Sequence, residues 1–170
     1  LNSGLEQEHG GRGQAFPRDD ALEHLMTYVK ETKHNGGVLG NDPVVQQTAM
    51  TSCIASHIHT LFAKRNFGMF IGRQEMTYHG SQSTAYRKTY RLENALRASD
   101  IMGPYSLLDT VEPRAPFGGA PEVDQRTSLQ GLHPGGTVEV MKIIIARRIG
   151  ISRTRERAAP MTAPATSQSS

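Results

Sequence analysis

The chain has 170 residues, of which 36% are hydrophobic and 21% charged, with one cysteine, no tryptophan and a formal net charge of +3. That is long enough for one domain with a real core, too apolar for wholesale disorder, and too poor in cysteine for an internal disulfide framework. No apolar run approaches the roughly 18 residues of a membrane span, and from the polar, glycine-rich start no signal peptide is expected, so no membrane partner is expected and the expected location is intracellular, cytoplasmic or nuclear.

Residues 1–17 lack periodicity and read as a flexible N-terminal arm. A single mainly helical domain is expected over residues 18–150. Its first helix starts at Asp20, with Glu23 three positions on as a capping box. Leu22, Leu25, Met26 and Val29 give its apolar face, and Asn35-Gly36-Gly37 stops it. Asp42 followed by Pro43 starts a central helix. Met50, Cys53, Ile54, Ile58, Leu61 and Phe62 then recur at spacings of three and four, which predicts a buried stripe. The strong pattern closes at Lys64 and Arg65, and Gly68 is expected to end or bend the helix. The two helices would form a hairpin, each covering the other's stripe.

Beyond Gly68 the pattern weakens. Phe67 to Gly80 reads as a continued helix or as a β-hairpin near Gly72, and its glycines favour the hairpin slightly. Ser83 or Thr84 caps a third helix through Ala98, with Glu93 placed four before Arg97. A short helical piece follows from Tyr105 to Val111, and then a Pro/Gly-rich loop at 112–136. The β-branched stretch TVEVMKIIIARRIG favours a strand over a helix, with 67–79 as its partner. The fold class is therefore mainly α, a small helical domain with flexible termini. The alternative is α+β, with a small antiparallel sheet from about 67–79 and 137–146. Residues 151–170 are basic at Arg153, Arg155 and Arg157 and end in a low-complexity tail that is expected to be disordered.

Two clusters could carry chemistry. Cys53 and His57 lie four apart on one helical face, the geometry by which a helix donates two metal ligands. Zinc needs at least one more, no paired motif supplies it, and a packed core pair is the plainer reading. Cys53 also lacks the neighbouring charge or helix N-terminus that activates a nucleophilic thiol, and the glycine clusters match no phosphate loop. No cofactor is expected. The second cluster is the basic middle: Lys64, Arg65, Arg73, Arg87, Lys88, Arg91 and Arg97 are answered only by Glu75 and Glu93, with Tyr78, Tyr86 and Tyr90 among them. Arg87 and Arg91 align one helical turn apart, as do Tyr86 and Tyr90, offering guanidinium groups to phosphates and rings to single-stranded bases.

The expectation that follows is a non-catalytic RNA-binding or single-stranded nucleic-acid-binding protein, of an assembling nucleocapsid-like kind. Its contacts would be Arg73, Tyr86, Arg87, Lys88, Tyr90, Arg91 and Arg97. The rival reading is a protein-interaction or scaffold subunit of a larger assembly, with protein partners or self-assembly. A zinc-dependent enzyme at Cys53 and His57 comes third.

Overall fold

The structure is a computed structural model that describes residues 18–151; the expected arm at 1–17 and the tail from 152 onward lie outside the described residues. The fold is mainly α. Its helices are α1 (Asp20–Glu31), α2 (Pro43–Ile71), α3 (His79–Met102), α4 (Ala120–Gln130) and α5 (Val138–Arg148). Helix α3 is the hub, with α1, α2, α4 and α5 all packed on it.

The helix starts follow local chemistry. Asp19 caps α1 by accepting the Leu22 N–H at 3.2 Å. The capping-box partner expected at Glu23 instead takes the Arg18 guanidinium. Asp42 caps α2 by accepting from the N–H groups of Val44 and Val45 at 2.7 and 3.3 Å, and Pro43 occupies the first turn. Between the two helices, β1 (Lys33–His34) and β2 (Gly37–Val38) pair antiparallel around Asn35 and Gly36. Both turn residues have positive φ, 48° and 80°, which a two-residue hairpin turn of the primed type requires.

Helix α2 departs from the sequence expectation twice. It runs straight through Gly68 to Ile71, and the face it buries is the other one. Ala49, Ser52 and Ser56 are buried, whereas Met50, Ile54, Ile58 and Leu61 are 50%, 57%, 36% and 63% exposed. The small side chains let α3 approach closely enough to bond to the α2 backbone. The Asn94 amide donates to the Ser52 carbonyl at 3.3 Å, and the Tyr86 hydroxyl donates to the Ala55 carbonyl at 3.1 Å. Bulky stripe residues on that face would hold the helices too far apart for either bond.

The second half is more helical than its composition foretold. Helix α3 begins at His79, ahead of the Ser83 and Thr84 caps. The stretch expected to be a Pro/Gly-rich loop holds a 3-10 turn at Pro116–Gly119 and then α4. Gly119 is required there, because at φ 82° an added Cβ would sit 2.8 Å from the Thr110 nitrogen. Residues 138–148 are helix, not strand, so the alternative sheet from 67–79 and 137–146 does not form, and the ladder at 33–38 is the only one among the described residues. Thr137 caps α5 by accepting the Val140 N–H at 3.3 Å. The helical penalty of Val and Ile is only a few tenths of a kcal/mol per residue, or about 0.5, and packing on α3 outweighs it.

The buried apolar core is small: Leu25, Val29, Ala49 and Met102, with Met26, Tyr28, Val45, Ala98 and Ile101 packed against it. No α5 residue is fully buried.

Candidate functional site

A cavity of about 120 Å³ lies where α1, α2, α3 and α4 meet. Leu22, Leu25, Ala95, Ala98 and Met102 give it apolar walls, and Asp19, His24, Ser52, Asn94 and Asp124 supply polar groups. Two of these polar groups are unspent. The Ser52 hydroxyl is fully buried with no hydrogen-bond partner, and so is the Nδ1 atom of His24, whose ring stacks on Phe117 at 4.5 Å. Leaving a buried hydroxyl unpaired costs about 1–3 kcal/mol, so the cavity favours a guest that can hydrogen-bond to it. Burial raises the Asp124 carboxyl above its ordinary value of 3.8, against the opposing pull of His24 and Arg91.

Next to the cavity, a polar network ties three helices together. Asp19 caps α1 through one carboxylate oxygen, and through the other it accepts the Ser56 hydroxyl of α2 at 2.5 Å. The Tyr90 hydroxyl of α3 lies 3.3 Å from His59 Nδ1 of α2, with ring centroids 5.0 Å apart. Burial pushes the Tyr90 hydroxyl up to about 12, with the Asp19 carboxylate adding to it. Burial also lowers the His59 imidazole from 6.5, helped by the Arg87 guanidinium. Both groups are therefore neutral at pH 7, and the network holds no buried cation.

The seven residues expected to contact nucleic acid do not form one surface. Arg87 and Arg91 are exposed on α3 at the cavity rim, in no ion pair among the described residues. Lys88 is buried, and its ammonium donates to the carbonyls of Leu132, Pro134 and Gly136 at 3.1, 2.6 and 2.7 Å. Tyr86 and Tyr90 stack at 5.6 Å, as their spacing implied, but they face α2, where Tyr86 also packs edge-on against Phe62. Arg97 bonds to Glu93 and Asn94 at 3.0 and 2.9 Å. Arg73 sits beyond the end of α2 at φ 49°, outside the cavity lining.

Among the described residues, no third metal-binding side chain joins Cys53 and His57. The sulfur is 3.6 Å from Nδ1, but that nitrogen also bonds to the Cys53 carbonyl at 2.8 Å. No group of three or more metal-binding side chains occurs among the described residues. What sequence reading missed was the polar lining. The signal available was Ala49, Ser52 and Ser56, small residues at the three-and-four spacing of one helical face.

No family model matches the chain, and no curated protein matches it. Solved structures do. The fold matches the crystal structure of the ChsE4-ChsE5 complex from Mycobacterium tuberculosis with a TM-score of 0.71 at 20% identity, over 79% of this chain and 35% of that one. It also matches the prolyl acyl carrier protein oxidase AnaB, with a TM-score of 0.67 at 19% identity, over 76% of this chain and 32% of that one. This chain thus spans about a third of the length of each, and at these identities the likeness is one of fold.

These findings correct the functional expectation. A fold shared with an acyl carrier protein oxidase replaces the RNA-binding, nucleocapsid-like and scaffold readings. Lys88, Tyr86 and Tyr90, central to the nucleic-acid reading, are engaged inside the bundle. No helix among the described residues is long and apolar enough to cross a membrane.

Proposed function

We propose that this chain is the helical domain of an oxidoreductase assembly that acts on a carrier-linked acyl group. The observation that carries this reading is the likeness to AnaB and to the ChsE4-ChsE5 complex over about three quarters of this chain and a third of theirs. On this reading the rest of the catalytic fold lies outside these 170 residues, and a protein partner is part of the working unit; the ChsE4-ChsE5 structure is itself a complex. Removing two hydrogens from an acyl group needs a two-electron acceptor, which a lone thiol at Cys53 cannot be, so the acceptor is a separate redox group held by the assembly.

The cavity is the place for part of the acyl group. Its apolar walls accept carbon, and the unpaired Ser52 hydroxyl and His24 Nδ1 fix a polar atom. Arg87 and Arg91 at the rim suit the phosphate of a phosphopantetheine arm, which carries the acyl thioester. The test is a heteronuclear NMR titration of the isotope-labelled chain with prolyl-phosphopantetheine thioester. Saturable shifts at Ser52, Asn94 and Asp124, weakened in the Arg87→Ala/Arg91→Ala variant, are expected. Shifts that are absent or never saturate would overturn the reading.

A further inference from the structure

Helix α2 buries a face of small residues in its own bundle and leaves its larger apolar side chains on the opposite face. At 100° per residue, Met50, Ile54, Ile58 and Leu61 lie roughly opposite the buried Ala49, Ser52 and Ser56. From Pro43 to Ala63 the helix carries no Asp, Glu, Lys or Arg. A solvent-facing helix ordinarily carries charge on its outer face, whereas loss of charge with enrichment in Met and large aliphatics marks the centre of a protein interface.

We propose that the outer stripe of α2 is a self-association surface, on which a second copy of this chain packs its own α2 antiparallel across a two-fold axis. Three features select a second copy over an unlike partner. The stripe is neutral, so two copies meet with no repulsion between like charges along its length. It is also self-complementary about a centre near residues 52 and 53. An antiparallel pairing there sets Met50 of one copy against Ile54 of the other. The same register brings the Asp42 carboxylate, at the uncharged stretch's start, level with the basic Lys64–Arg65 end of the second copy. Antiparallel packing also sets each helix dipole against its opposite.

The stripe from Met50 to Leu61 runs about 17 Å along the helix, a small contact, and a dissociation constant on the order of micromolar is expected.

Sedimentation velocity of the 170-residue chain from about 1 to about 100 µM spans that range. The wild type is expected to pass from monomer to dimer. Met50→Lys and Ile54→Glu, each with an unchanged helical circular dichroism spectrum, are expected to weaken the dimer at least tenfold (~10-fold). Val111→Glu, at a highly exposed site off the stripe, is expected to leave it unchanged. Combining Met50→Lys with Ile54→Glu is expected to restore dimer, because the two new charges meet across the axis. A wild type that stays monomeric throughout, or an Ile54→Glu chain that dimerises as tightly as wild type, would overturn the proposal. A double variant that stays monomeric while both single variants are folded would overturn the antiparallel register.

Discussion

The Ser56 hydroxyl donates to the Asp19 carboxylate at 2.5 Å across 37 residues of sequence, joining the middle of α2 to the first turn of α1. The same carboxylate caps α1 at the Leu22 N–H. Removing it leaves an uncapped helix and a hydroxyl without its acceptor, each worth about 1 kcal/mol. Asp19→Ala is therefore expected to lower the unfolding free energy by about 2 kcal/mol, and Ser56→Ala by about half of that, in urea titrations. Equal losses from both variants would mean that the cap contributes nothing.

Lys88 gathers three carbonyls of the α4–α5 connection around one ammonium. Lys88→Met keeps the buried stem and removes the charge, so those carbonyls lose their shared donor inside the bundle. A loss of about 3 kcal/mol is expected, with faster amide exchange concentrated in residues 132–140. Lys88→Arg should not recover it, because a planar guanidinium cannot place donors on three converging carbonyls. Undiminished protection in Lys88→Met would contradict this role.

His59 makes stability depend on acidity. In the fold, burial and the Arg87 charge hold the imidazole below its ordinary 6.5, so it is neutral where the unfolded chain would already be protonated. The unfolded state binds the extra proton, and stability therefore falls as the pH drops below about 6.5 and is complete above it. Urea midpoints at about pH 7.5 and about pH 5.5 should differ more in wild type than in His59→Asn. An identical drop in the two proteins would exclude His59 as its source.

Asp124 has the opposite sign. Burial raises its carboxyl from 3.8, so the folded state holds the proton more tightly and the ionised form is disfavoured in the fold. Its contribution is favourable below 3.8 and is lost as the pH rises through the raised value. Asp124→Asn, which keeps the shape without the charge, is expected to raise the melting temperature at neutral pH, with the gain vanishing in acid. A lower melting temperature at neutral pH would show that the carboxylate makes a favourable contact there.

What was legible in the sequence was local. Asp42-Pro43 marked the start of α2 to the residue, and Leu25 and Val29 were correctly placed inside, because caps and a clean one-sided stripe act within a few residues. The inner face of α2 was not legible, because the residues it buries are the small Ala49, Ser52 and Ser56 while the larger apolar side chains lie on the outer side. Helix α5 was misread because Val and Ile suit strands, while its start depends on Thr137 and on contacts with α3. Lys88 looked like one cation among many; the carbonyls that hold it lie 44–48 residues further on. The cavity was invisible for the same reason, since four separate helices line it.

Both the cavity and the outer stripe depend on which face of α2 points inward. Isoleucine-methyl NMR reads this directly. With Ile54 and Ile58 outside, their methyl groups should show no Overhauser contacts to Leu25 of α1 or Tyr90 of α3 at low protein concentration, while Asn94 shows contacts to Ser52. Contacts from Ile54 or Ile58 to Leu25 or Tyr90 would place the bulky stripe in the core and contradict both.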